Sequence, residues 1–234
     1  MFCFMDEENT LQIYGEIGPA WAGMIDDKSV IHALEQIQSA KKIHIRLNSP
    51  GGDYFLGVSI SNALRRHPAK VIVHVDALAA SAASVIAMGG DRVIMHPGAL
   101  MMIHRAWSIS MGNAEDFTKA AETLNKVDEN LIDVYHKRTG MDKSKLRKLV
   151  DAETWMDGTE AVAYGFADEA DTRATGATAK VPTGWYAKIP NQVGQYSIAA
   201  IARKPPTLIA QRTATQSDAM RKARMESLRS RLAA

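Results

Sequence analysis

Between Leu11 and Thr139 the chain switches repeatedly between a two-residue and a 3.6-residue apolar period, and that switching restricts its fold more than any other feature. Leu11 to Gly18 alternates apolar and polar residues and is closed by glycines, which predicts a strand. Val30, Ile31, Leu34 and Ile37 then recur at helical spacing behind Ser29, a plausible N-cap. Ile43 to Leu47 is a second strand, stopped by the turn Asn48-Ser49-Pro50-Gly51-Gly52. Tyr54 to Arg66 reads as a helix, Lys70 to Asp76 as a strand, and Ala79 to Gly89 as a helix of small residues. Strands follow at Arg92 to Met95 and Leu100 to His104, and Asn113 to Thr139 makes a long amphipathic helix. Strands separated by helices return to one sheet in parallel, so the expected class is α/β, built from βαβ units.

The chain has 234 residues, enough for one sizeable domain with an appendage. Its single cysteine, Cys3, excludes an internal disulfide framework and a cysteine-based structural zinc site. No apolar run approaches the ~20 residues of a membrane-spanning helix. The stretch Met1 to Thr10 lacks the cationic start of a secretory signal, so a soluble, cytoplasmic protein is expected. Charge divides the chain in two. Residues 174–234 hold ten Lys and Arg against two Asp and Glu, whereas residues 1–173 are net acidic. This predicts a globular domain over 1–173 and a basic C-terminal extension over 174–234, partly helical or loosely ordered. Such a segment is either a solvated tail or a contact for anionic protein or nucleic acid.

Few residues are placed to carry chemistry. Ser81 follows the strand-like run Val71 to Val75 where a helix should begin, so its hydroxyl lies near backbone N–H groups without intrahelical partners. The amide of the next residue, Ala82, could face a developing oxyanion there; the plainer reading is an N-cap serine. His104 ends an apolar run at a strand edge, where a neutral imidazole can serve as general base or simply pack. The glycines after Pro50 permit close backbone approach and an exposed N–H at Gly52, or merely a tight connection. Asp151 and Glu153 could each orient the far nitrogen of His104, or complement a helix end. His44, His74 and His96 show no metal-ligand spacing, and no metal or other cofactor is expected.

Taken in order, these pieces resemble the ClpP family of serine peptidases. The resemblance rests on Leu47-Asn48-Ser49-Pro50-Gly51-Gly52, Ala79-Ala80-Ser81, Met102-Ile103-His104 and the run Glu160 to Asp168, and covers roughly residues 11 to 171. It implies a crotonase-like α/β spiral in which Asn113 to Thr139 is the handle helix between stacked homo-oligomeric rings. It also implies a Ser-His-acid triad with Ser81 as nucleophile, His104 as base, and the Gly52 and Ala82 amides as oxyanion donors; Ser84 is then a decoy one turn along. The family usually carries Gln-Ala-Ala-Ser-Met-Gly and His-Gln-Pro, where this chain has Leu78-Ala79-Ala80-Ser81-Ala82-Ala83 and His104-Arg105-Ala106. Its acid lies two residues before an aromatic; Trp155 in that place selects Glu153, with Asp151 in reserve.

The short segment ahead of Leu11 and the basic extension are similar to the ClpP-like head maturation proteases of tailed phages. That resemblance implies processing of capsid and scaffold proteins in an assembling procapsid without an ATPase. Other readings remain: a housekeeping ClpP-type subunit working with an unfoldase, an acyl-CoA enzyme of the crotonase type, or a non-catalytic assembly scaffold.

Overall fold

Apolar alternation becomes a mixed sheet with helices against it in the computed structural model, which describes the backbone of residues 3–5 and all of residues 9–171. The expected basic extension over 174–234 lies outside the described residues. Strand β1 (Cys3–Met5) runs antiparallel to β2 (Thr10–Tyr14), so the sheet starts ahead of the strand expected at Leu11. From β2 onward the central strands are parallel: β2 pairs with β3 (Lys42–Ser49), and β3 with β4 (Lys70–Ala80). Helices α1 (Asp27–Gln36) and α2 (Tyr54–Arg66) are the crossovers between them. Along β3, Ile43, Ile45 and Leu47 are fully buried, while His44 and Arg46 point to the other face. The cap of α1 is Asp26 rather than Ser29: its carboxylate accepts the Ser29 N–H at 3.1 Å, which starts the helix three residues earlier.

Strand β4 is the branching element. Its residues Ile72 to Val75 pair in parallel with β5 (Arg92–Met95), and Leu78 to Ala80 pair in parallel with β6 (Leu100–Ile103). Between these halves the register with β3 shifts, so that Leu47 faces Val75 but Ser49 faces Ala79. The expected helix from Ala79 therefore begins later, as α3 (Ala82–Ala87). Ala79 and Ala80 have helical propensity, but both are fully buried with strands on either side, and that pairing overrides it.

Helix α4 (Ala114–Thr139) matches the expected span and opens with a capping box between Asn113 and Asp116. Its first half is largely exposed, whereas Val127, Leu131, Ile132 and Tyr135 are buried. Helix α5 (Lys143–Asp151) leads into β7 (Thr154–Met156), which runs antiparallel to β6; α6 (Gly158–Ala163) and β8 (Glu169–Ala170), parallel to β5, complete the described chain. Among the described residues no helix is long and apolar enough to cross a membrane.

Away from the apolar face, histidines line up across the sheet. His44 Nδ1 lies 2.8 Å from His74 Nε2, and His74 Nδ1 lies 3.1 Å from His96 Nε2. Burial, and then the nearby charges of His44, Arg46, His96 and Arg92, lower the His74 pKa from 6.5 to about 4. The folded state thus binds this proton more weakly than the unfolded chain. The stability that follows is full above about pH 6.5 and is lost as pH falls toward 4. Urea midpoints at pH 7 and pH 4.5 should fall further in the wild type than in His74→Gln; parallel losses would contradict this account.

Candidate active site

Three chain segments converge because β6 pairs on both sides. On one side the register Ala80 to Met102 continues into a bond from the Ser81 N–H to the Met102 carbonyl at 2.9 Å. On the other, Ile103 faces Thr154 in the antiparallel ladder, so the next step of that ladder sets His104 opposite Glu153. Ser81, His104 and Glu153 therefore sit at the ends of three neighbouring strands. The contact between the first two is direct: His104 Nε2 lies 2.8 Å from Ser81 Oγ.

Ser81 occupies a backbone conformation that few non-glycine residues adopt, with φ 54° and ψ −123°. It forms the elbow between β4 and α3, and strain there turns its hydroxyl toward the cleft. Opposite the elbow, the turn after β3 comes close. A Cβ built on Gly51, at φ +94°, would lie 2.5 Å from the Ala80 carbonyl oxygen and 2.8 Å from Ser81 Cβ. Gly52, at φ +136°, is as constrained, since its Cβ would fall 2.0 Å from the Ile17 oxygen. Gly51 accepts from the Ile17 N–H at 2.8 Å and the Asp53 N–H donates to the Ile17 carbonyl at 2.9 Å. In a parallel pairing of this kind the Gly52 amide itself points away from Ile17. Neither the Gly52 nor the Ala82 N–H donates to another group among the described residues.

The electrostatics favour a neutral imidazole. Burial lowers the His104 pKa below 6.5, while the charges of Glu153 and, less strongly, Asp128 oppose the shift. Glu153 holds a left-handed backbone, φ 51°, and accepts from Trp155 Nε1 at 3.4 Å. Asp151 is turned elsewhere: it is half exposed, and its carboxylate lies 3.7 Å from Arg105 Nε. Asp128 was not among the sequence candidates, yet it anchors the loop that follows β6. It is 2% exposed and accepts from the Arg105 Nε and the Ala106 N–H, both at 2.8 Å. Its signal in the sequence is a carboxylate on the helical stripe of Leu124, Leu131 and Tyr135. A cleft of about 760 Å³ opens over Ser81 and His104, and Val85, Leu124 and Leu131 give it an apolar side. Among the described residues no cluster of His, Cys, Asp or Glu could hold a metal ion.

Known proteins resemble this chain in sequence and in fold. The family model described as Clp protease matches residues 2–173. The ATP-dependent Clp protease proteolytic subunit of Deinococcus radiodurans is 30% identical over 138 residues, covering 58% of this chain and 68% of the relative. Subunit 2 of the same protease in Borreliella burgdorferi is 30% identical over 165 residues, covering 70% and 82%. Among solved structures, a point mutant of ClpP1 from Listeria monocytogenes superimposes with a TM-score of 0.62. It has 24% identity and covers 70% of this chain and 92% of that one, a likeness in fold.

Because Gly51 leaves no room for a side chain beside the elbow, Gly51→Ala should displace Ser81 from His104. A displacement of that size should reduce kcat/KM toward a fluorogenic peptide by about 10²-fold. Retention of wild-type kinetics would show that the close approach is unimportant.

Proposed function

The chain belongs to the Clp protease family, a serine-type peptidase family, and from that premise we propose that Ser81, His104 and Glu153 form its catalytic triad. The observation that carries this reading is the 2.8 Å contact between Ser81 Oγ and a desolvated His104 Nε2 at a strained strand–helix elbow. His104 takes the Ser81 proton at Nε2 as Oγ attacks the substrate carbonyl carbon. The Gly52 and Ala82 amides receive the negative charge on the carbonyl oxygen. Collapse of that intermediate breaks the C–N bond, and the proton passes from Nε2 to the leaving amine. Water then repeats the sequence on the acyl-enzyme and frees Ser81. Glu153 stabilises the imidazolium that forms in each half. Asp151 is the less favoured acid, since its carboxylate faces Arg105.

The family works on protein substrates in homo-oligomeric rings. Within it, we infer a peptidase domain over residues 1–173 followed by a basic extension over 174–234, acting on capsid and scaffold proteins of a phage head. Such a protein would work without an ATPase, in the host cytoplasm and inside the assembling procapsid. The support is the charge of that extension, ten basic residues against two acidic, which suits an anionic protein or nucleic-acid partner. A second reading, a proteolytic subunit that needs an unfoldase, is favoured by the names of the relatives.

Incubation with a candidate capsid protein, with and without ATP and an unfoldase, separates these readings. Wild type should cut the capsid protein unaided, and Ser81→Ala should lose turnover by about 10⁶-fold. Cleavage only with the unfoldase would favour the second reading. Binding without cleavage would indicate a scaffold, and undiminished cleavage by Ser81→Ala would remove the nucleophile.

A further inference from the structure

Behind the elbow runs a chain of hydroxyl groups that the triad does not use. Ser84 Oγ lies 2.6 Å from the carbonyl oxygen of Ser81 and 2.7 Å from the Tyr135 hydroxyl. Both side chains are fully buried. A carbonyl can only accept, so the one proton of Ser84 goes to Ser81, and Tyr135 must in turn donate to Ser84. The chain therefore has a single direction, from Tyr135 through Ser84 to the Ser81 carbonyl. Burial raises the Tyr135 pKa, which keeps this donor protonated. The ring is held edge-on against Phe166, with centroids 5.2 Å apart at 70°.

The chain's consequence lies on the far side of the peptide bond. The peptide between Ser81 and Ala82 is planar and trans, so its C=O and N–H point in opposite directions. Whatever fixes the Ser81 carbonyl fixes the direction of the Ala82 N–H. Two donors fix it: the Ser84 hydroxyl at 2.6 Å and the Ser84 N–H at 2.9 Å. Together they hold Ser81 at its strained φ and ψ, a conformation that persists only with such support.

We propose that Ser84 and Tyr135 are positioning residues that hold the Ser81–Ala82 peptide plane and so aim the Ala82 N–H at the oxyanion. The role rests on the reading of Ser81 as nucleophile and deepens it: the serine that sequence marks as a decoy acts through the peptide of the true nucleophile. Tyr135 lies behind the wall of the cleft, fully buried, next to Val85 and Leu131.

The test compares the full-length wild type with Ser84→Ala, Tyr135→Phe and the double variant. It measures kcat and KM on a fluorogenic peptide amide, inhibition by the matching peptide aldehyde, and the thermal midpoint. An amide pointed away from the oxyanion is worth less than one in line, so Ser84→Ala should lose about 10-fold in kcat, and Tyr135→Phe less. KM should stay within about twofold, because the ground state does not use the amide fully. The aldehyde, whose adduct places an oxyanion on the same amides, should weaken in step with kcat.

The double variant separates aiming from mere packing. It removes both buried hydroxyls, leaving neither unpaired, and should recover most of the thermal midpoint lost by Ser84→Ala. It should not recover kcat. A kcat that returns with the midpoint, or is unchanged in all three variants, overturns the proposal. If Ser84→Ala does not fold, Tyr135→Phe decides: matched losses in kcat and aldehyde affinity support the proposal, and unchanged values overturn it. Ser81→Ala run alongside keeps the outcomes distinct, since wild-type turnover there would defeat the nucleophile itself rather than its positioning.

Discussion

Strand β6 is hydrogen-bonded along both edges, and the candidate site depends on that double pairing. Its parallel ladder with β4 brings Ser81 alongside, and its antiparallel ladder with β7 brings Glu153 across from His104. A slip of one residue in either ladder would turn every side chain on the slipped strand to the other face. Registry is secured by burial: Met101, Met102, Ile103 and Met156 are all fully buried, so a slipped strand would bring polar neighbours into the core.

The branch in β4 is the second constraint. A single strand serves β5 with its first half and β6 with its last residues, and the register shift against β3 falls between them. That shift carries the Pro50-Gly51-Gly52 turn forward until it lies against Ser81, where only a residue without a side chain fits. The oxyanion candidates thus come from two elements, the turn after β3 and the first residue of α3, that neighbour each other only because β4 changes partners. Buried support for this corner comes from α4, whose inner stripe supplies both Asp128, which anchors the loop behind His104, and Tyr135, which reaches Ser84.

The alternating periods made the α/β class, helices α1 to α4 and the central strands legible, because each depends on which face of a local segment is buried; α5 and α6 were not read from the sequence. The end of β4 was not legible. Ala79 and Ala80 read locally as helix, and only the neighbouring strands on both sides hold them extended. Ser81 and His104 could be singled out individually, but their contact depends on the pairing of β4 with β6, which no local pattern encodes. The same holds for the carboxylates. Glu153 and Asp151 are two residues apart, and the separation between them in space follows from the β6–β7 ladder and from the pull of Arg105. Asp128 left a trace, a charge on an apolar stripe, whose meaning required the loop it supports. The histidine row needed the sheet to align His44, His74 and His96, which lie far apart in sequence.

The central claim is that the Ser81 hydroxyl is activated by His104 at the elbow. It is tested most directly by treating the protein with a fluorophosphonate and mapping the adduct by peptide mass spectrometry. The account predicts a single adduct on Ser81 that forms quickly in the wild type and is almost lost in His104→Ala. Modification at a different serine, or labelling of Ser81 at an unchanged rate without His104, would contradict it.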